Sequence, residues 1–68
     1  MTPLEQYQAD LRDRAEGHKK DAADLRQAAL KLKGAARVTK LHKAEVNEAQ
    51  ARAYENAALL ANALRAQE

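Results

Sequence analysis

The chain has 68 residues, with twelve basic against ten acidic side chains and no cysteine. That length allows one domain, residues 1–68, and the lack of cysteine excludes disulfides and thiolate metal sites. Of the apolar residues, 17 are alanine, nine are leucine and two are valine. Burial of so few large side chains cannot offset the conformational entropy lost when the whole chain becomes ordered. Association with another chain is therefore predicted to complete the core.

The first predicted element is a long helix. Alanine combined with leucine and long polar side chains favours helix throughout, and the sequence predicts an all-α fold. The helix is expected to begin at about residue 3, because Thr2 can cap it, Pro3 suits its first position and Glu5 completes a capping box. A heptad pattern follows, in which Leu4, Leu11, His18, Leu25 and Leu32 alternate with Gln8, Ala15, Ala22, Ala29 and Ala36.

The second predicted element is another long helix. Gly34 follows two lysines and indicates that the first helix ends at about residue 33, whereas Thr39 suits the cap of a helix over about 40–66. The apolar face of this second helix is expected to pack on the first helix. Its members recur every three, four or seven residues: His42, Val46, Ala49, Ala53, Ala57, Leu60 and Leu64.

These elements predict an antiparallel two-helix hairpin that turns at 34–39. The alternative is one continuous helix of about 95 Å at 1.5 Å per residue, because the heptad phase of Leu32 continues into the second half of the chain. A hairpin leaves apolar positions open, and two hairpins would close them as a four-helix bundle or coiled coil. The predicted oligomer core contains Leu4, Leu11, His18, Leu25, Leu32, Val46, Ala53, Leu60 and Leu64.

Charge is distributed unevenly along the chain. Residues 1–24 carry six acidic and four basic residues, 45–68 carry four acidic and two basic residues, and 25–44 carry six basic residues and no acidic one. A hairpin gathers those cations around its turn, where they are candidates for binding phosphates or an acidic protein surface. The anion-binding candidates are Lys31, Lys33, Arg37, Lys40 and Lys43.

The remaining candidates are two histidines and a small group of apolar side chains. His18 and His42 are expected to fix helix register rather than to bind a metal, because two separated histidines do not make a zinc site. No cofactor is expected. Tyr54 and Leu59, with Leu41 on the same flank as Leu59, are the candidates for contact with a protein partner. The alternative is that they pack in the dimer core, which a small rotation of the bundle would allow.

The sequence predicts a binding protein and not an enzyme. It contains neither serine nor cysteine, and its carboxylates lie on solvated helix faces where nothing would tune them for acid–base chemistry. The first hypothesis is a small homodimeric regulator or inhibitor of a larger protein, of the kind that phage and mobile elements encode. The alternatives are nucleic-acid binding through residues 31–43 and a scaffold-like role in assembly. The absence of an apolar span and of a leader pattern predicts a cytoplasmic protein without membrane contact.

In architecture alone, the chain length and the predicted pairing of two hairpins resemble those of the small plasmid-encoded RNA-binding helical hairpins. No motif is shared with them, so the resemblance assigns no functional residue.

Overall fold

The computed structural model describes residues 2–67 as two antiparallel helices, α1 (Pro3–Leu30) and α2 (Gly34–Ala66). Residues 31–33 connect them, and the hairpin measures 52 × 16 × 11 Å. Side chains far apart in sequence meet along its length, as Arg26 does with Glu48 and Lys19 with Glu55. The predicted all-α hairpin is therefore confirmed, and the continuous helix is excluded.

The start of α1 follows the predicted capping chemistry. Thr2 has extended backbone angles, and its Oγ1 accepts a hydrogen bond of 3.2 Å from the Glu5 backbone N–H. Pro3 occupies the first turn, where its missing N–H leaves no donor unpaired and its fixed φ already suits a helix. The cap and the proline together fix the residue at which α1 begins.

The turn between the helices is shorter and earlier than predicted. The first helix ends at Leu30 rather than at residue 33, and α2 begins at Gly34 rather than at 40. Gly34 has a φ of +63° and directs the chain into α2 instead of terminating α1. The prediction that Thr39 caps the second helix is wrong, because Thr39 lies within α2 and its hydroxyl donates to the Ala35 carbonyl at 3.0 Å. The alanines after Gly34 favour helix, so three residues suffice for the turn.

The two helices pack through alanine. The buried positions recur every seven residues on each helix, and a methyl side chain at each of them lets the backbones approach closely. Leu11 and Gln8 are also buried on α1, and the Gln8 amide Nε2 donates to the Ala58 carbonyl at 3.3 Å. The buried alanines of this interface are Ala15, Ala22 and Ala29 of α1 with Ala44, Ala51, Ala58 and Ala61 of α2.

The prediction of which face of α2 packs on α1 is wrong. The predicted face, which includes Val46 and Leu60, points away from α1 and is exposed. The observed orientation places Glu48 and Glu55 against α1, where they meet cations of that helix. A half-turn rotation of α2 would bury larger side chains, but it would separate these ion pairs and replace alanine contacts with a wider spacing of the helices.

Candidate interaction surfaces

A long apolar face of α2 is exposed in the hairpin, apart from Ala57, which is half-buried. Val46, Leu60 and Leu64 are 44%, 68% and 59% exposed. Together with the alanines between them they recur at helical spacing over about 27 Å of helix, at 1.5 Å per residue. This surface is here called the open face of α2, and it consists of Val46, Ala49, Ala53, Ala57, Leu60 and Leu64.

The open face carries no charge between residues 46 and 64. The residues that complete it at helical spacing, Gln50, Asn56 and Ala63, are uncharged. Glu48 and Glu55 turn to α1, and Arg52 lies on their flank at helical spacing. The uncharged surface is therefore continuous along the helix.

The outer face of α1 has the opposite character. Asp10, Asp13, Lys20 and Asp24 lie on it at helical spacing, and all four are exposed. Charged side chains of both signs are typical of a helix face that remains in water. The hairpin thus has one hydrated outer face, on α1, and one apolar outer face, on α2.

The structure divides the predicted oligomer core between two surfaces. Leu11 is buried, Leu4, His18 and Leu25 of α1 are half-buried, and Leu32 is half-buried in the turn. The members on α2 all lie on the open face: Val46, Ala53, Leu60 and Leu64. The predicted oligomer core therefore combines residues of the contact between α1 and α2 with residues of a surface that the hairpin leaves exposed.

A polar cluster occupies one side of the contact between the helices. The rings of His18 and Tyr54 stack with centroids 5.5 Å apart and planes 10° from parallel, and the Arg14 guanidinium lies 5.9 Å from the Tyr54 centroid. His18 Nδ1 is 2.8 Å from the Asn47 side-chain oxygen, while Asn47 Nδ2 donates to the Lys43 carbonyl. Because the amide nitrogen is committed to that carbonyl, the ring nitrogen is the donor to the oxygen.

This cluster fixes the helices relative to each other. A hydrogen bond and a stacked pair at one position along the hairpin disfavour sliding or rotation of α2, which is the role predicted for His18. His42 is exposed on α2 and lies apart from it. Within residues 2–67 there is no group of three side chains placed to hold a metal ion.

The other side of the contact is held by ion pairs. Arg26 pairs with Glu48, and Lys19 pairs with Glu55 one heptad further from the turn. The hydrogen bond and the charge of Glu55 raise the pKa of the Lys19 ammonium above its ordinary value of 10.5. Both pairs are partly exposed, so their main effect is to select which face of α2 meets α1.

The three predicted partner contacts do not form one patch. Tyr54 is half-buried against His18, whereas Leu59 is 64% exposed on the opposite flank of α2, beside Arg12 and Glu55. Leu41 is half-buried and shares the flank of Leu59, but it lies about 27 Å away along the helix. Of the three, Leu59 alone presents a large apolar side chain to solvent, and it does so next to charged neighbours.

Cations lie in the turn and along the first three turns of α2, whereas the sequence placed them around a turn at 34–39. Lys31 and Lys33 lie in the turn, both are exposed, and Arg37 is the fourth residue of α2. The N-terminus of α2 has no side-chain cap and no acidic residue in its first turn, so the local field is positive. This group is here called the basic tip: Lys31, Lys33, Arg37, Lys40 and Lys43.

Comparison of the chain with protein-family models, with curated proteins and with solved structures finds no match. Neither described helix combines the length and the apolar character that crossing a bilayer requires.

Proposed function

We propose that this chain is a non-enzymatic protein–protein interaction module, a small regulator or inhibitor that acts by binding other protein chains, with the open face of α2 as its principal contact surface. The observation that carries the proposal is the exposure of Val46, Leu60 and Leu64 along one uncharged face. Full burial of such a side chain is worth roughly 1.5–3 kcal/mol. A continuous row of them is a strong driving force for association with another apolar surface.

The alanine interface explains why this face is available. Because α2 meets α1 mainly through methyl groups, the hairpin forms without using Val46, Leu60 and Leu64. These side chains are not scattered, as isolated surface leucines usually are, but follow one face of the helix. That pattern is typical of a helix which binds a second helix or a hydrophobic groove.

Two neighbouring leucines give a matched test. Leu60 lies on the open face, whereas Leu59 is similarly exposed but points to the flank near Arg12 and Glu55. Leu60→Glu should abolish protein–protein association, measured by sedimentation and by capture of partners, while Leu59→Glu should retain it. Circular dichroism checks that both variants keep their helices. Association that is unchanged in Leu60→Glu would contradict the proposal.

A second candidate function is phosphate contact by the basic tip. The observation that favours it is the five cations of the basic tip, which lie in the turn and at the start of α2 with no acidic residue between positions 31 and 43. Fluorescence anisotropy with duplex and single-stranded oligonucleotides should then show affinity that falls steeply with salt. Replacing Lys33 and Arg37 with alanine should remove it, while Lys20→Ala on the outer face of α1 should not. An affinity that does not change with salt concentration would refute this function.

A further inference from the structure

We propose that the partner of the open face is the open face of a second copy of this chain, with the two α2 helices antiparallel. This inference rests on the proposed function, because it assigns an occupant to the same surface. It places α2 of each copy at the centre of the dimer and both α1 helices on the outside, since the open face lies nearly opposite the contact with α1.

The open face is self-complementary in size when the helices run in opposite directions. Its two central members, Ala53 and Ala57, are small, whereas Val46 stands at one end and Leu60 and Leu64 at the other. Antiparallel pairing about the centre brings Ala53 of one copy opposite Ala57 of the other, so the backbones approach closely. Val46 then faces Leu64 of the second copy at both ends, which closes the contact with large side chains.

Charge selects the antiparallel over the parallel arrangement. Parallel pairing would place the two basic tips side by side, each with five cations and no acidic residue between positions 31 and 43. Antiparallel pairing puts the tips at opposite ends of the dimer. It also brings Lys43, next to the open face, close to Gln67 at the C-terminal end of α2 of the second copy, where the helix dipole favours a cation.

The dimensions of the face indicate a modest affinity. A strip of about 27 Å by about 10 Å is one helix face, and two such strips bury less than the roughly 1,200–2,000 Å² of a standard stable complex. The dimer should therefore dissociate within an accessible concentration range, so sedimentation from about 10 µM to about 1 mM is suited to detect it.

The orientation can be measured by disulfide formation, because the natural chain has no cysteine. Val46→Cys and Leu64→Cys are prepared with tags of different mass, mixed and oxidised. Antiparallel pairing predicts a disulfide between the two variants in the mixture and little within either variant alone. Gln27→Cys, on the exposed outer face of α1, is the control for random collision and should not exceed the background rate.

Three results together would support the inference. The chain forms dimers in sedimentation, the mixed disulfide forms, and Leu60→Glu raises the dissociation constant of the dimer at least about tenfold while Leu59→Glu does not. Disulfides that form only within each variant would overturn it in favour of parallel pairing. A chain that stays monomeric throughout would overturn it as well. If that monomer still captures another protein in a Leu60-dependent way, the proposed function stands without the second copy, and if it captures none, both fail.

Discussion

The two glycines of the hairpin should respond to alanine with opposite signs. Gly17 lies inside α1, and a Cβ built on it meets no heavy atom within 4 Å. Glycine in a helix interior costs roughly 0.5–1 kcal/mol relative to alanine, mainly through the greater freedom of the unfolded chain. Gly17→Ala should therefore raise the free energy of unfolding by about that amount.

Gly34 also has open space around it, but its φ is +63°. An alanine in the left-handed region costs roughly 1–2 kcal/mol, while the restricted unfolded chain returns about 0.4–1 kcal/mol. Gly34→Ala should therefore lower the free energy of unfolding by up to about 1.5 kcal/mol. The penalty arises from the backbone alone, since no neighbouring atom obstructs the methyl group.

Urea and thermal unfolding followed by circular dichroism, at one fixed protein concentration, measure both changes. For a chain of this size, 1 kcal/mol moves the melting temperature by roughly 4–8 °C. The comparison discriminates between architectures, because in one continuous helix both substitutions would stabilise. A stabilising Gly34→Ala would refute the turn at 31–33, and a destabilising Gly17→Ala would refute an open, helical site in α1.

Three further predictions concern the interfaces. Ala51→Leu, at a position only 2% exposed against α1, should lower the free energy of unfolding by about 1–3 kcal/mol through overpacking, whereas Ala53→Leu on the open face should keep the fold and weaken self-association in sedimentation, because it separates the two α2 helices where Ala53 faces Ala57. The raised pKa of Lys19 means that its pairing with Glu55 stabilises fully below the ordinary value of 10.5 and is lost as pH rises through the raised value. Glu55→Gln should flatten that alkaline loss in unfolding curves recorded across pH, and an unchanged profile would contradict the pairing. The melting temperature of the natural chain should increase with protein concentration, and a constant value would count against coupled association.

The sequence predicted the fold class and the first helix because their determinants are local. Thr2 and Pro3 fix the start of α1 within four residues of chain, and alternating leucine and alanine identify its packing face. The end of α1 was harder to predict from the sequence. Gly34 indicates a helix boundary, but residue type alone does not show that it begins α2 with a positive φ instead of terminating α1.

The contact face of α2 could not be read from hydrophobicity, because the helix carries two periodic faces. Valine and leucine on the open face outweigh the alanines that pack on α1. The informative pattern was electrostatic: Lys19 and Arg26 are seven residues apart on α1, and Glu48 and Glu55 are seven apart on α2. An antiparallel hairpin brings these pairs into register only when the alanine face is inside.

The distribution of large and small side chains connects the stability of the hairpin with its proposed role. An interface of methyl groups removes little apolar area per residue, so the contact between α1 and α2 supplies little of the free energy needed to order both helices. The larger side chains of α2, which would supply more, remain in solvent within a single copy. A partner on the open face therefore binds and stabilises in the same step, and its binding free energy adds directly to that of folding. A substitution such as Leu60→Glu should accordingly change stability at high protein concentration far more than at high dilution, where the open face is unoccupied in both proteins.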